Sequence, residues 1–136
     1  MSAAAVLQAA ALAQLSRRMR VFTAPPLRAS LPRVVLDDAV LAAADAVGVS
    51  GRIGTIGVTC TDSGEQPDRL RMLVEQVETA MAAIPPDLGA GWRLAALTLT
   101  RSRIVHGKEV RGDARSERGE QWTATCLFAV RMFRIN

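Results

Sequence analysis

QWTATCLFAVRMFRI, residues Gln121 to Ile135, places Trp122, Ala124, Cys126, Phe128, Val130 and Met132 at every second position. An extended chain turns its side chains to alternate faces, so this run reads as a long strand with one apolar face. The stretch before it, Trp92 to Val105, carries a second long strand pattern, and the two are predicted to form a long hairpin. Between them lie Gly107 to Glu120, with Lys108, Arg111, Arg115 and Arg118 against Glu109, Asp113, Glu117 and Glu120. Such a segment has too little apolar surface to pack on its own domain and is expected as a mobile hairpin tip.

Upstream of the hairpin, Leu70, Leu73, Val74, Val77, Ala80, Met81 and Ile84 repeat at the spacing of one helical stripe. Pro85 and Pro86 end that helix, Pro67 suits its first turn, and Ser63 with Gln66 resembles a capping box. A strand precedes it from Gly51 to Thr61, with Ile56, Val58 and Cys60 on one face. Gly51, Gly54 and Gly57 lie inside this strand, so they are read as points of close backbone approach, a bulge or a strong twist rather than as a phosphate loop. Arg33 to Leu36 is a short β-branched strand behind Pro32, stopped by Asp37 and Asp38. Asp38 to Val49 is Ala/Val-rich and is expected as a short helix or an apolar arm that a partner covers. At the start, Leu7, Ala11, Leu15, Leu12 and Met19 mark an amphipathic helix from Ala4 to about Arg20, capped by Ser2, with Arg17, Arg18 and Arg20 in its last turn.

The expected order is helix, strand, strand, helix, strand, strand. It implies one α+β domain over 1–136, an antiparallel sheet of about four strands with two helices on one face, and extended loops at 38–50 and 107–120.

Composition narrows function mainly by exclusion. Of 136 residues, 49% are apolar and 22% charged, the balance of a globular protein. No run of about eighteen apolar residues occurs, so no membrane span is expected. The apolar start has its arginines after it rather than before, the wrong order for a secretory signal. His106 is the single histidine and has no second ligand at metal spacing. Cys60 and Cys126 read as buried thiols. Asp37 and Asp38 point to opposite faces of a strand, and Ser63 lacks a nucleophile elbow. No catalytic, metal or cofactor residue is expected, and the chain is not expected to be an enzyme. The net charge of +4 comes from seventeen basic residues, sixteen of them arginine, without interleaved aromatics for base stacking. A nucleic-acid reading through Arg101, Arg103 and Arg131 would require affinity that falls steeply with salt.

The whole chain resembles the small tail-completion proteins of long-tailed phages and of phage-derived particles such as gene transfer agents, a family that includes tail terminators and head–tail joining proteins. The resemblance is carried by LQAAALAQLSRRM, RVFTAPPLRASLPRVVLDD, GTIGVTC running through TDSGEQPDRL into RMLVEQVETAMAAI, and the closing LAALTLTRSRIVHGKEVRGDARSERGEQWTATCLFAVRMF. It implies a virion structural protein that forms a ring with copies of itself, commonly a hexamer. That ring sits at the head-proximal end of the tail, caps the tail-tube protein and presents a surface to the head–tail connector or stopper. DNA would pass through its lumen without specific binding, and assembly would occur in the bacterial cytoplasm. The family brings no catalytic residue. The residues expected at protein interfaces are Lys108, Glu109, Arg111, Asp113, Arg115, Glu117 and Arg118 in the charged tip, and Val40, Leu41 and Val47 in the 38–50 connection. The alternative is a small cytoplasmic ligand-binding or regulatory α+β module, for which the same layout would serve.

Overall fold

The computed structural model describes residues 2–26, 30–108 and 120–136. Its frame is three long strands: β4 (Val49–Ser63), β6 (Trp92–Lys108) and β7 (Glu120–Ile135). β7 lies between the other two and is antiparallel to both. At about 3.3 Å per residue each strand runs for roughly 50 Å. The hairpin predicted from the Gln121–Ile135 alternation is therefore present, with β4 added along its second edge.

Four short strands complete the sheet: β1 (Val21–Phe22), β2 (Arg33–Leu36), β3 (Val40–Ala43) and β5 (Asp87–Gly89). β2 and β3 share the outer edge of β4, β2 against Val58–Thr61 and β3 against Arg52–Thr55. β1 runs parallel to β2, and β5 flanks the beginning of β6. The expected four-stranded antiparallel sheet with two helices is thus overturned: seven mixed strands curl into a half-barrel that dominates the fold. The missed strands are two to four residues long, too short to show a period of their own, and they exist because β4 or β6 offers an edge to pair with.

The 38–50 connection changes most. Instead of a short helix or an arm it is β3 and a tight return, with Ala46 and Val49 exchanging hydrogen bonds of 3.0 Å. The strand glycines allow it. A Cβ at Gly54 would run into the Val40 carbonyl oxygen and one at Gly51 into that of Ala44, so close backbone approach is what these glycines serve.

Helix α1 (Ala3–Ser16) is capped by Ser2, whose Oγ accepts from the Ala5 N–H at 3.1 Å. It ends before Arg17, so the three arginines expected in its last turn lie beyond it. Helix α2 (Asp68–Ala82) buries Leu70, Val74, Val77, Ala80 and Met81, the stripe read from the sequence. Its start is not a capping box. Pro67 occupies the cap position without a side-chain bond, and Ser63 is the last residue of β4. The first turn is tied down by Arg69, which donates through Nε to Asp62 Oδ2 at 2.7 Å and through Nη2 to Oδ1. That bond, more than any other influence, holds the buried Asp62 carboxyl below its ordinary value, against the opposing effect of burial.

Both helices bury their stripes with Ile56, Val58 and Cys60 of β4 and Ala124, Cys126, Phe128, Val130 and Met132 of β7 in one core. Cys60 and Cys126 are free and buried, and burial pushes the Cys60 thiol up to about 12. Among the described residues no helix is long and apolar enough to cross a membrane.

Candidate interaction surface

A strand that sends its even-numbered residues into the core must send the odd-numbered ones to the other side. On β7 these are Thr123, Thr125, Leu127, Ala129 and Arg131, and no helix covers them. Register extends each into a row across three strands. Ile53, Arg131 and Ala96 form one row, Thr55, Ala129 and Thr98 the next, then Gly57, Leu127 and Arg101, then Thr59, Thr125 and Arg103, and finally Thr61, Thr123 and Val105. β3 widens the first two rows with Ala42 and Val40.

These rows mix six threonines and three arginines with exposed aliphatics. Of seven large hydrophobics that stand exposed among the described residues, Val40 at 70%, Ile53 at 41%, Val105 at 46% and Ile135 at 71% belong to it. Two depressions mark it. The larger, about 690 Å³, is lined by Ile53, Ala95, Ala96, Thr98, Ala129 and Arg131, where small side chains leave the surface low. The other, about 320 Å³, is bounded by Arg101, Arg103, Val105, Thr125 and Leu127. Arg101, Arg103 and Arg131 are exposed, and none lies in an ion pair among the described residues. Asp37 brings one carboxylate to the face and is already engaged, accepting from Thr59 Oγ1 at 2.8 Å. Exposed aliphatics mixed with arginine and depleted in lysine and glutamate have the composition of a protein–protein contact rather than of ordinary surface.

The residues expected at interfaces from sequence fall in different places. Val40 is on this face, Leu41 turns the other way and packs half-buried on the core, and Val47 is fully exposed in the return between β3 and β4. Lys108 closes β6 opposite Glu120 of β7. Glu109, Arg111, Asp113, Arg115, Glu117 and Arg118 lie outside the described residues. Lys108, the one described member of the charged tip, lies far from Val47. The 46–49 return is at the Val49 end of β4, whereas Lys108 and Glu120 adjoin the Ser63 end, about 45 Å away along the strand.

The helix-free face itself was not expected as a site. The signal was present in the alternation, because once the even residues of β7 are assigned to the core, the odd ones describe the opposite surface. Arg101, Arg103 and Arg131, grouped in the sequence only as a nucleic-acid reading, do share it. Chemistry is sparse there. No cluster of three metal-ligating side chains occurs among the described residues. His106 stacks on Trp122 with ring centroids 4.1 Å apart, and Trp122 Nε1 donates to the Gly64 carbonyl at 3.0 Å, fastening the end of β7 to the β4–α2 connection.

No protein-family model matches this chain, and no curated protein sequence does. Among solved structures, the fold is similar to that of a chain in the virion of a native gene transfer agent particle, with a TM-score of 0.60 at 17% identity. The similarity covers 97% of this chain and 98% of that one, so it extends over the whole fold rather than a shared fragment.

Proposed function

We propose that this protein is a non-enzymatic assembly subunit of a phage-like particle, acting as a tail terminator or tail-completion protein. Copies of the chain form a closed ring that caps the tail tube and meets the head connector. The observation that carries the reading is the end-to-end similarity of fold to a chain of a gene transfer agent virion. The bare, aliphatic- and arginine-bearing sheet face supports it, as one of the two different patches that a heterologous ring contact brings together. The roughly 45 Å between the 46–49 return and the 108–120 end suits a subunit that touches different partners at each end. The mechanism is steric: a closed ring satisfies its own interfaces and leaves an open-ended stack with nowhere to grow.

Light scattering behind a sizing column, on the protein alone and after mixing with tail-tube protein, tests this. A ring-sized species, alone or on the tube, is expected. A monomer indifferent to tube protein would overturn the reading and favour the small regulatory module. Deletion of residues 109–118 is expected to leave the fold intact and to abolish joined particles. DNA-delivering particles from the deletion mutant would remove the charged tip from the interface.

A further inference from the structure

We infer that the end of the sheet beneath the first turn of α1 binds an oxyanion, a carboxylate or a phosphate, between the guanidiniums of Arg52 and Arg134. The place is separate from the helix-free face. Arg52 of β4 and Arg134 of β7 belong to the helix-bearing side, and the register Arg93 to Phe133 sets Trp92 of β6 beside Arg134. The guanidinium carbon of Arg134 lies 5.0 Å from the Trp92 ring centre and that of Arg52 5.4 Å from it. A cavity of about 300 Å³ opens here, lined by Ser2, Ala3, Ala4, Leu41, Arg52, Trp92 and Arg134.

Three features select the ligand's charge. Two cations lie against one indole; Arg52 Nη1 already donates to Asp45 Oδ1 at 3.2 Å and to the Gly51 carbonyl at 2.7 Å, whereas Arg134 has no carboxylate partner among the described residues. The first turn of α1 forms one wall; Ser2 Oγ already takes the Ala5 N–H, but those of Ala3 and Ala4 have no acceptor within the helix, so the partial positive charge of the helix end adds to that of the arginines. Trp92 is 2% exposed, and its Nε1 is a buried donor without an acceptor among the described residues. The wall therefore carries two guanidiniums and a helix end against a single carboxylate, that of Asp45. Guanidinium forks favour the paired oxygens of a carboxylate or phosphate over a spherical anion. Leu41, Ala3 and Ala4 keep part of the rim apolar, which lowers the local dielectric and strengthens the attraction.

Trp122→Phe makes Trp92 the only indole and hence the reporter. Titration with sodium phosphate and with sodium acetate at constant ionic strength is expected to give a saturable change in its emission, with a rise in Tm on phosphate. Arg134→Gln should weaken the response at least about tenfold, the usual consequence of losing a charge-assisted contact. Arg131→Gln removes the same charge from the helix-free face and should leave the response unchanged. No saturable change with either ion, or an equal response in Arg134→Gln, overturns the proposal. The source is separated by mass: if Arg134→Gln also lowers the assembled mass and phosphate competes with assembly, the oxyanion is an acidic side chain of a second copy. If phosphate binds and the mass is indifferent, it is a free ion.

Discussion

Replacing Val40 by aspartate separates assembly from folding. Val40 is 70% exposed on β3, opposite Thr55 on the helix-free face. Full burial of a valine contributes about 1.5–2 kcal/mol, so covering the exposed part on assembly is worth about 1–1.4 kcal/mol. Aspartate forfeits that and adds a carboxylate to be desolvated, a penalty of several kcal/mol when unpaired and less where an arginine can approach. Taking only 1–2 kcal/mol for the charge, association weakens by about 2–3 kcal/mol, or roughly 30- to 150-fold in Kd. In the free chain the aspartate stays in water and costs no more than about 1 kcal/mol, the span of strand propensity. Sedimentation across a concentration series reads the first quantity and urea denaturation the second. If Val40→Asp assembles with the same concentration dependence as the parent while remaining folded, the helix-free face is not the contact surface.

Other expectations concern the scaffold. Asp62→Asn should lower stability at pH 7 by about 1–3 kcal/mol, because it weakens the bonds to Arg69 at a buried position. The folded-state pKa of Asp62 is depressed, so its contribution is present above the ordinary carboxyl value of 3.8 and is lost as pH falls through the folded value. The gap between parent and variant in urea should accordingly narrow from pH 7 to pH 3, and a gap that widens on acidification would refute the clamp. Gly54→Val should displace β3, because the new Cβ meets the Val40 backbone, at a cost of about 1–3 kcal/mol. Faster amide exchange at Val40–Ala43 than in the parent would report it. Cys60, with its thiol pushed up to about 12 by burial, should resist an aromatic disulfide reagent at pH 8 until the chain is unfolded.

The parts of this fold that were legible in sequence are those whose residues repeat. Gln121–Ile135 and Leu70–Ile84 each carry their period over fifteen residues, long enough for the buried face to be assigned before any partner is known. β3 and β5 have no such record. VLAA and DLG are poor strand sequences on propensity alone, and they are strands because the glycines of β4 admit one backbone and the start of β6 holds the other. The start of α2 was misread for a related reason. Ser63 and Gln66 have the spacing of a capping box, but β4 runs on through Ser63, and the helix start is held instead by Asp62 reaching Arg69, a pairing between two elements. The helix-free face was legible only by subtraction, and its apolar content depends on register between Ile53, Ala96 and Val40, which no single strand reveals.

How such a face would be used is constrained by the edge beside it. β5 pairs only with the first residues of β6, so from Leu94 to Lys108 the outer edge of that strand has no partner strand among the described residues. An unpaired edge of this length invites strand addition without limit. Two irregularities work against it, register shifts between Leu94 and Ala96 and between Leu99 and Arg101, each of which breaks the even spacing that an added strand would need. Arg101 and Arg103 then put charge beside the stretch that is still regular. Edge-to-edge growth would produce an open fibre, whereas a contact through the face can fix an angle between subunits and close. An irregular, arginine-bearing edge beside an exposed face therefore disfavours strand addition and leaves the face as the available contact, and that is the combination β6 and β7 present.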